Sequence, residues 1–207
     1  MIPANTNAAL AIDSAASYKI IITGIWKMPQ HTVPAGNHFT KFNGLIHNNT
    51  CKLFSLGSLA SLGVENVAEV GNNIALVSEM DNDINAGNAS GKFFISLPNI
   101  TGSDSAIVNV SLKHSLVSFE SMIAPSPDWF AGLNSYNLVQ TGKWVNDITV
   151  DIYGYDAGTE DGDVFGYNNP ATYPQQYISY LTPANASVIA NGNSSIAPFA
   201  TVRFIKQ

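Results

Sequence analysis

Cysteine is nearly missing from this chain: Cys51 is the single one among 207 residues. No internal disulfide can form, so the fold stands on its core alone. That absence does not by itself mark the cytosol. Cations are also scarce. Nine Lys plus Arg stand against fifteen Asp plus Glu, for a net charge of -6, and no basic run occurs. This excludes nucleic acid as a partner and argues against heparin-like polyanions and against anionic membranes without a bridging cation. No apolar run approaches the roughly 20 residues needed to span a bilayer, so membrane insertion is not expected. Residues 1–17 lack both a basic n-region and a long apolar h-region. They do not form a signal peptide. They read instead as a flexible tether, ahead of a domain over 18–207, on a chain whose export signal has been removed.

What the chain has is apolar residues (45%) with little charge (12%), enough to bury a core in one domain. Period-2 runs dominate. Tyr18, Ile20, Ile22 and Trp26 share one face and Ile21 and Ile25 the other, which predicts a central strand covered on both sides. Val108, Val110 and Leu112 alternate with Asn109 and Ser111, and with Leu116–Ile123 they read as a hairpin. Ile148, Val150 and Ile152 alternate with Asp147, Thr149 and Asp151. Val202 and Phe204 mark a closing strand. Cys51–Leu56 and Lys92–Leu97 are shorter candidates. Val64, Val67 and Ala68 have helical spacing that Gly71 could end, and a second short helix is predicted over Ile74–Met80. Residues 158–197 read as loops with one short strand. The fold class is therefore all-β, an antiparallel sandwich with one or two short helices. Its expected core includes Ile20, Ile22, Trp26, Val117, Phe119, Ile148, Val150, Ile152 and Phe204.

Candidate chemistry concentrates in one loop. Asp156, Glu160, Asp161 and Asp163 fall within eight residues, separated by Gly158 and Gly162. Carboxylates on a glycine-containing loop at a strand end can converge on calcium, a hard ion that takes six to eight oxygens. The same pattern also fits a solvated acidic turn. Asp128, between Pro127 and Trp129, is either an Asx-turn residue or a further oxygen donor. Asp81-Asn82-Asp83-Ile84-Asn85 fails as a helix–loop–helix calcium site, because Ala86 and Lys92 stand where glycine and glutamate are required; it reads as a turn. His31, His38, His47 and His114 lack metal-ligand spacing, and His38 and His47 are expected to hold loops by hydrogen bonds. No Gly-x-Ser-x-Gly elbow occurs. The sequons at Asn48, Asn88, Asn99, Asn109 and Asn185 fit chance in a chain rich in Asn, Ser and Thr.

Three segments in order resemble the spondin domain. They are ITGIW, GNHF and SLASLGVENVAEVG between Tyr18 and Gly71, then APSPDWFAGL (124–133), then GKWVNDITVDIYGYDAGTEDG (142–162). The resemblance implies a sandwich similar to calcium-dependent phospholipid-binding modules. It also implies one calcium held by Asp128 of the SPDW element and by Asp156 and Glu160 of the DAGT element. Glu160 stands where relatives have aspartate, with Asp161 beside it as a substitute. Cysteines near Val139 and Gly142 are lacking, and Tyr155 stands where tryptophan is frequent. The implied function is a secreted or cell-surface, calcium-binding adhesion or matrix module. It would be non-enzymatic, with an extracellular protein or glycan as partner. The runner-up is a carbohydrate-binding or carbohydrate-active domain that uses Tyr167, Tyr173 and Tyr177.

Overall fold

The computed structural model describes residues 12–207. In chain order the elements are β1 (Ala15–Gly24), β2 (His38–Phe39), β3 (Phe42–His47), α1 (Leu62–Val70), α2 (Ile74–Asn85), β4 (Ala89–Ile95), β5 (Ser103–Ser111), β6 (Leu116–Ala124), β7 (Trp129–Asn137), β8 (Val139–Gln140), β9 (Lys143–Trp144), β10 (Asp147–Asp156), β11 (Ser179–Tyr180), α3 (Ser187–Ala190) and β12 (Ala200–Lys206). β1 thus begins inside the expected tether, and the tether's first eleven residues lie outside the described residues.

The main sheet runs β4-β3-β6-β7-β10-β12-β1-β5, and every pairing is antiparallel. Its edge strands β4 and β5 approach each other, so the sheet curls into a near-barrel, a sandwich in which one half faces the other. The alternating positions of β1, β10 and β12 meet in register, with Ile20 opposite Phe204, Ile148 opposite Phe204 and Val150 opposite Val202. They point into the main core with Trp26, Val117, Phe119 and Ile152, all buried; Ile148 and Val150 pack on it from a partly exposed position. Each fully buried aromatic there is worth about 1.5–3 kcal/mol.

A second apolar layer lies on the outside of the sheet. α1 and α2 cover it, burying Val64, Val67, Ala68, Leu76 and Met80 against Leu45 and Phe130. The C-terminal end of α1 is as its sequence predicts, while its start lies at Leu62. Ser61 caps the N-terminus by accepting from the Val64 N–H, and Gly71 closes the helix at φ +68°, a conformation that glycine adopts freely.

Several sequence expectations are corrected. β5 and β6 do not form a hairpin. β5 pairs with β1, while β6 lies between β3 and β7, so the short link carries the chain from one edge to the sheet's centre, and Leu112 is exposed. β3 and β6, not β1, are buried on both faces, because the outer layer with α1 and α2 covers their outer side. Ile21 and Ile25 of β1 stay half-exposed. Cys51–Leu56 is irregular and drops Leu53 and Phe54 into the outer layer. Asp81–Asn85 is the last part of α2 rather than a turn. His38 and His47 do hold loops: His38 Nδ1 lies 2.9 Å from the Gly36 carbonyl oxygen, and His47 Nδ1 2.7 Å from that of Asn48.

Candidate metal site

Two chain segments meet at one end of β7 and β10. Asp128 immediately precedes β7, and Asp156 ends β10 opposite Trp129. The antiparallel register therefore brings the two aspartates, 28 positions apart by number, to one rim of the sheet. The bond from Ala157 N–H to the Asp128 carbonyl, at 3.1 Å, extends this ladder.

Asp128 is fully buried. Its Oδ2 accepts from Thr159 N at 2.7 Å, Thr159 Oγ1 at 3.3 Å and Glu160 N at 3.1 Å. The carboxylate thus caps the backbone of the acidic loop, not its own turn as an Asx motif would. Asp128 Oδ1 is buried with no hydrogen-bond partner among the described residues. Burial raises the Asp128 carboxyl, and the bonds from Thr159 and Glu160 oppose that rise. An unpaired buried carboxylate oxygen costs about 1–3 kcal/mol or more. A cation is the partner such an atom suits.

Asp156 Oδ1 accepts from Gly158 N at 2.8 Å. Burial, with the charges of Asp128 and Asp161, lifts its pKa to about 6. Glu160 is partly exposed and accepts from Asn169 Nδ2 at 3.4 Å. Burial and the nearby Glu69 and Asp128 charges bring it to about 7. Glu69, on the last turn of α1, is itself raised by burial and by Glu65 and Asp128. It is the member of the cluster that the sequence reading passed over. Its place follows from packing: α1 is buried through Val67 and Ala68, and Glu69 lies next to them, near enough to Asp128 to feel its charge. Asp161 is engaged elsewhere, its Oδ1 accepting from Thr172 Oγ1 at 2.6 Å.

Like charges that raise one another's pKa mark a rim short of positive charge. As they stand, no three His, Cys, Asp or Glu side chains among the described residues are gathered closely enough to hold a metal ion. Asp128 and Asp156 are held by backbone N–H groups, and Glu160 by one long bond to Asn169. The donor set is all oxygen, which suits calcium.

Gly158 sets the loop. Its φ is +74°, and a Cβ there would lie 2.5 Å from the Gln176 carbonyl oxygen. Gly158→Ala will therefore destabilise the domain by about 1–3 kcal/mol, read as a lower midpoint in urea unfolding. An unchanged midpoint would mean that the left-handed turn is dispensable.

Of the late-loop tyrosines, Tyr173 and Tyr177 line one groove, which Tyr167 does not join. Tyr173 is 97% exposed and Tyr177 65%, on loop backbone. A groove of about 500 Å³ lies between them and Asp161.

Comparison with known proteins agrees with this architecture. The Spondin_N family model matches residues 16–193. The chain is 32% identical to Spondin-2 of Rattus norvegicus over 212 residues, covering 92% of this chain and 62% of that protein. Against Spondin-2 of Homo sapiens the identity is also 32%, over 92% of this chain and 61% of that one. Against Spondin-1 of Gallus gallus it is 31%, over 81% of this chain and 22% of that protein. The chain therefore spans a little under two thirds of the Spondin-2 relatives and about a fifth of the Spondin-1 relative. It belongs to the spondin N-terminal domain family.

Proposed function

We propose that this domain is a non-enzymatic, calcium-binding module of a secreted or cell-surface protein, of adhesion or matrix type. Asp128, Asp156 and Glu160 would hold the ion and brace the rim for an extracellular protein or glycan partner. One observation carries the reading: the buried Oδ1 of Asp128, unpartnered among the described residues, beside Asp156 and Glu160, whose carboxyls are raised by burial and by the Asp128 charge. Calcium would supply the missing positive charge. Backbone carbonyls and water would complete a shell that the carboxylates cannot fill alone. Asp161 is left out because it is exposed and Thr172 holds one of its carboxylate oxygens.

Extracellular calcium modules work at Kd values of about 10⁻⁴–10⁻³ M. Calcium at ten times Kd stabilises the folded state by about 1.4 kcal/mol, which raises Tm by roughly 3–5 °C in a domain of this size. The test is thermal melting with calcium and with chelator. Asp156→Asn should abolish the shift, since it keeps the shape and removes the charge; Asp161→Asn should keep most of it. No shift in the parent, with no ion bound by calorimetry, would reduce the cluster to a solvated turn. Raised carboxyl pKa values also fit a general acid. Turnover of any glycan that is lost in Glu160→Gln would replace this reading with an enzymatic one.

A further inference from the structure

The outer face of the sheet carries a groove that the carboxylate rim does not use. It is built by strand periodicity. Asp151, Tyr153 and Tyr155 are alternate residues of β10 and share one face; Phe130, Gly132 and Asn134 do the same on β7. The register sets Tyr153 opposite Gly132 and Tyr155 opposite Phe130. β11 then lays Tyr180 beside Tyr155. Three rings follow in a column: Phe130 on Tyr155 at 5.2 Å and 20°, and Tyr155 on Tyr180 at 5.0 Å and 26°. Tyr153 meets Tyr180 at 6.4 Å and 81°, so the two make a right-angled corner.

The inner two rings are buried, but the corner is not: Tyr153 is 43% exposed and Tyr180 47%. A groove of about 370 Å³ opens on that corner, lined also by Ser55, Gly132, Asn134 and Asp151. At Gly132 the Phe54 ring takes the space of a side chain. A Cβ there would lie 2.8 Å from the Phe119 carbonyl oxygen and 3.0 Å from the Phe54 ring. The polar groups are available. Asp151 is exposed and joins no salt bridge among the described residues. Asn134 Oδ1 accepts from Ser135 Oγ at 2.9 Å, which leaves the amide N–H₂ as the donor for a ligand.

We propose that this groove binds a neutral saccharide, with a pyranose ring against the Tyr180–Tyr153 corner and its hydroxyls on Asp151 and Asn134. A sugar ring has a face of C–H bonds and an edge of hydroxyls. The face suits a flat aromatic ring, the hydroxyl edge suits a carboxylate acceptor beside an amide donor, and this groove offers both within one turn of strand. The charge points to a neutral ligand. Asp151 and the net charge of -6 oppose a uronate, sulfate or phosphate. An apolar peptide would leave the Asp151 carboxylate without a partner. The platform is also held in advance, because Tyr180 rests on two buried rings and less entropy is lost on binding. The fully exposed Tyr173 has no such support.

Calorimetric titration tests this with soluble neutral oligosaccharides of glucan, mannan, galactan and chitin type, beside uronate-containing and sulfated ones, each in calcium and in chelator. At least one neutral oligosaccharide should bind saturably. Tyr153→Ala and Asp151→Asn should each weaken it by about 10- to 100-fold, with melting curves like the parent's, while Tyr173→Ala should leave it unchanged. The proposal falls if no neutral oligosaccharide binds at millimolar concentration, if only acidic glycans bind, or if binding survives both groove variants. Saccharide binding that persists in chelator would stand even if the calcium reading fails.

Discussion

Calcium affinity will fall by roughly a hundredfold between pH 8 and pH 5. The ion and the proton compete for the same oxygens, so each ligand that must lose a proton makes affinity pH-dependent. With its pKa raised to about 6, Asp156 is ionised at pH 8 and about nine-tenths protonated at pH 5, a factor of about ten in affinity. Glu160, raised to about 7, would add more on paper. Its carboxyl is partly exposed, however, and water screens the neighbouring charges; about another tenfold is a fair allowance. The calcium-free protein should respond in the opposite sense. Both groups hold protons more tightly folded than unfolded, so their stabilising contribution is complete below the unfolded pKa values near 4 and is lost as pH rises through 6 to 7. Without calcium the domain should thus gain stability on acidification from pH 8 to pH 5; with saturating calcium it should lose it. Calorimetric titration at several pH values, with melts in chelator, checks both halves. A Kd that stays constant from pH 8 to pH 5 would remove Asp156 and Glu160 from the ion.

What the sequence made legible follows the range of the forces involved. β1, β10 and β12 are readable because alternation is local, and residues such as Ile20, Ile152 and Phe204 announce their own burial. The partner of a strand is not local. Val108 and Val110 look the same whether β5 pairs with β6 or with β1. Only the closing of the sheet around the core decides it, and the hairpin expectation failed there. β6 misleads for a related reason. Ser118 and Glu120 are polar, yet both are buried, because α1 and α2 settle on that face. Helix α2 runs on through Asp81 and Asp83, whose composition suggests a turn; Lys92 pairs with Asp81 from the neighbouring β4.

The candidate site divides the same way. Asp128, Asp156 and Glu160 were found through their resemblance to a known pattern, and the register of β7 with β10 accounts for why the two aspartates share a rim. The part played by each oxygen depends on the fold. That Asp128 spends Oδ2 on the Thr159 and Glu160 amides and keeps Oδ1 unpaired cannot be read from an aspartate between proline and tryptophan. Nor can the arrival of Glu69, since a helix reaches the rim only after the outer layer has packed.

Replacing Glu120 with methionine will stabilise the domain at neutral pH. Glu120 sits mid-strand in β6, opposite Asn43 of β3 and Gly132 of β7, on the face that α1 and α2 cover. It is fully buried, and neither carboxylate oxygen has a hydrogen-bond partner among the described residues. Asn43, opposite it, is turned to other groups: its Nδ2 donates to the Lys41 carbonyl at 2.8 Å, and its Oδ1 accepts from Asn73 at 2.7 Å. Across the layer stands Glu79, whose carboxylate holds Ser61 Oγ and Gly63 N at the start of α1, so the charge facing Glu120 is of its own sign. Burial first, and Glu79 second, push the Glu120 carboxyl well above its ordinary value. A folded pKa above the unfolded one means that this group's contribution is most favourable below the unfolded pKa of about 4.3 and is lost as pH rises toward the folded value. Methionine matches glutamate closely in length and adapts to irregular cores, and it neither ionises nor leaves oxygens unpaired. The gain at pH 7 should be about 1–3 kcal/mol, or several degrees in Tm, shrinking toward zero as the pH approaches 4. Urea unfolding of the parent and Glu120→Met from pH 4 to pH 8 measures it. A variant less stable than the parent across that range would show that the carboxylate is held by a partner, such as buried water, and contributes to the packing of α1 and α2 on the sheet.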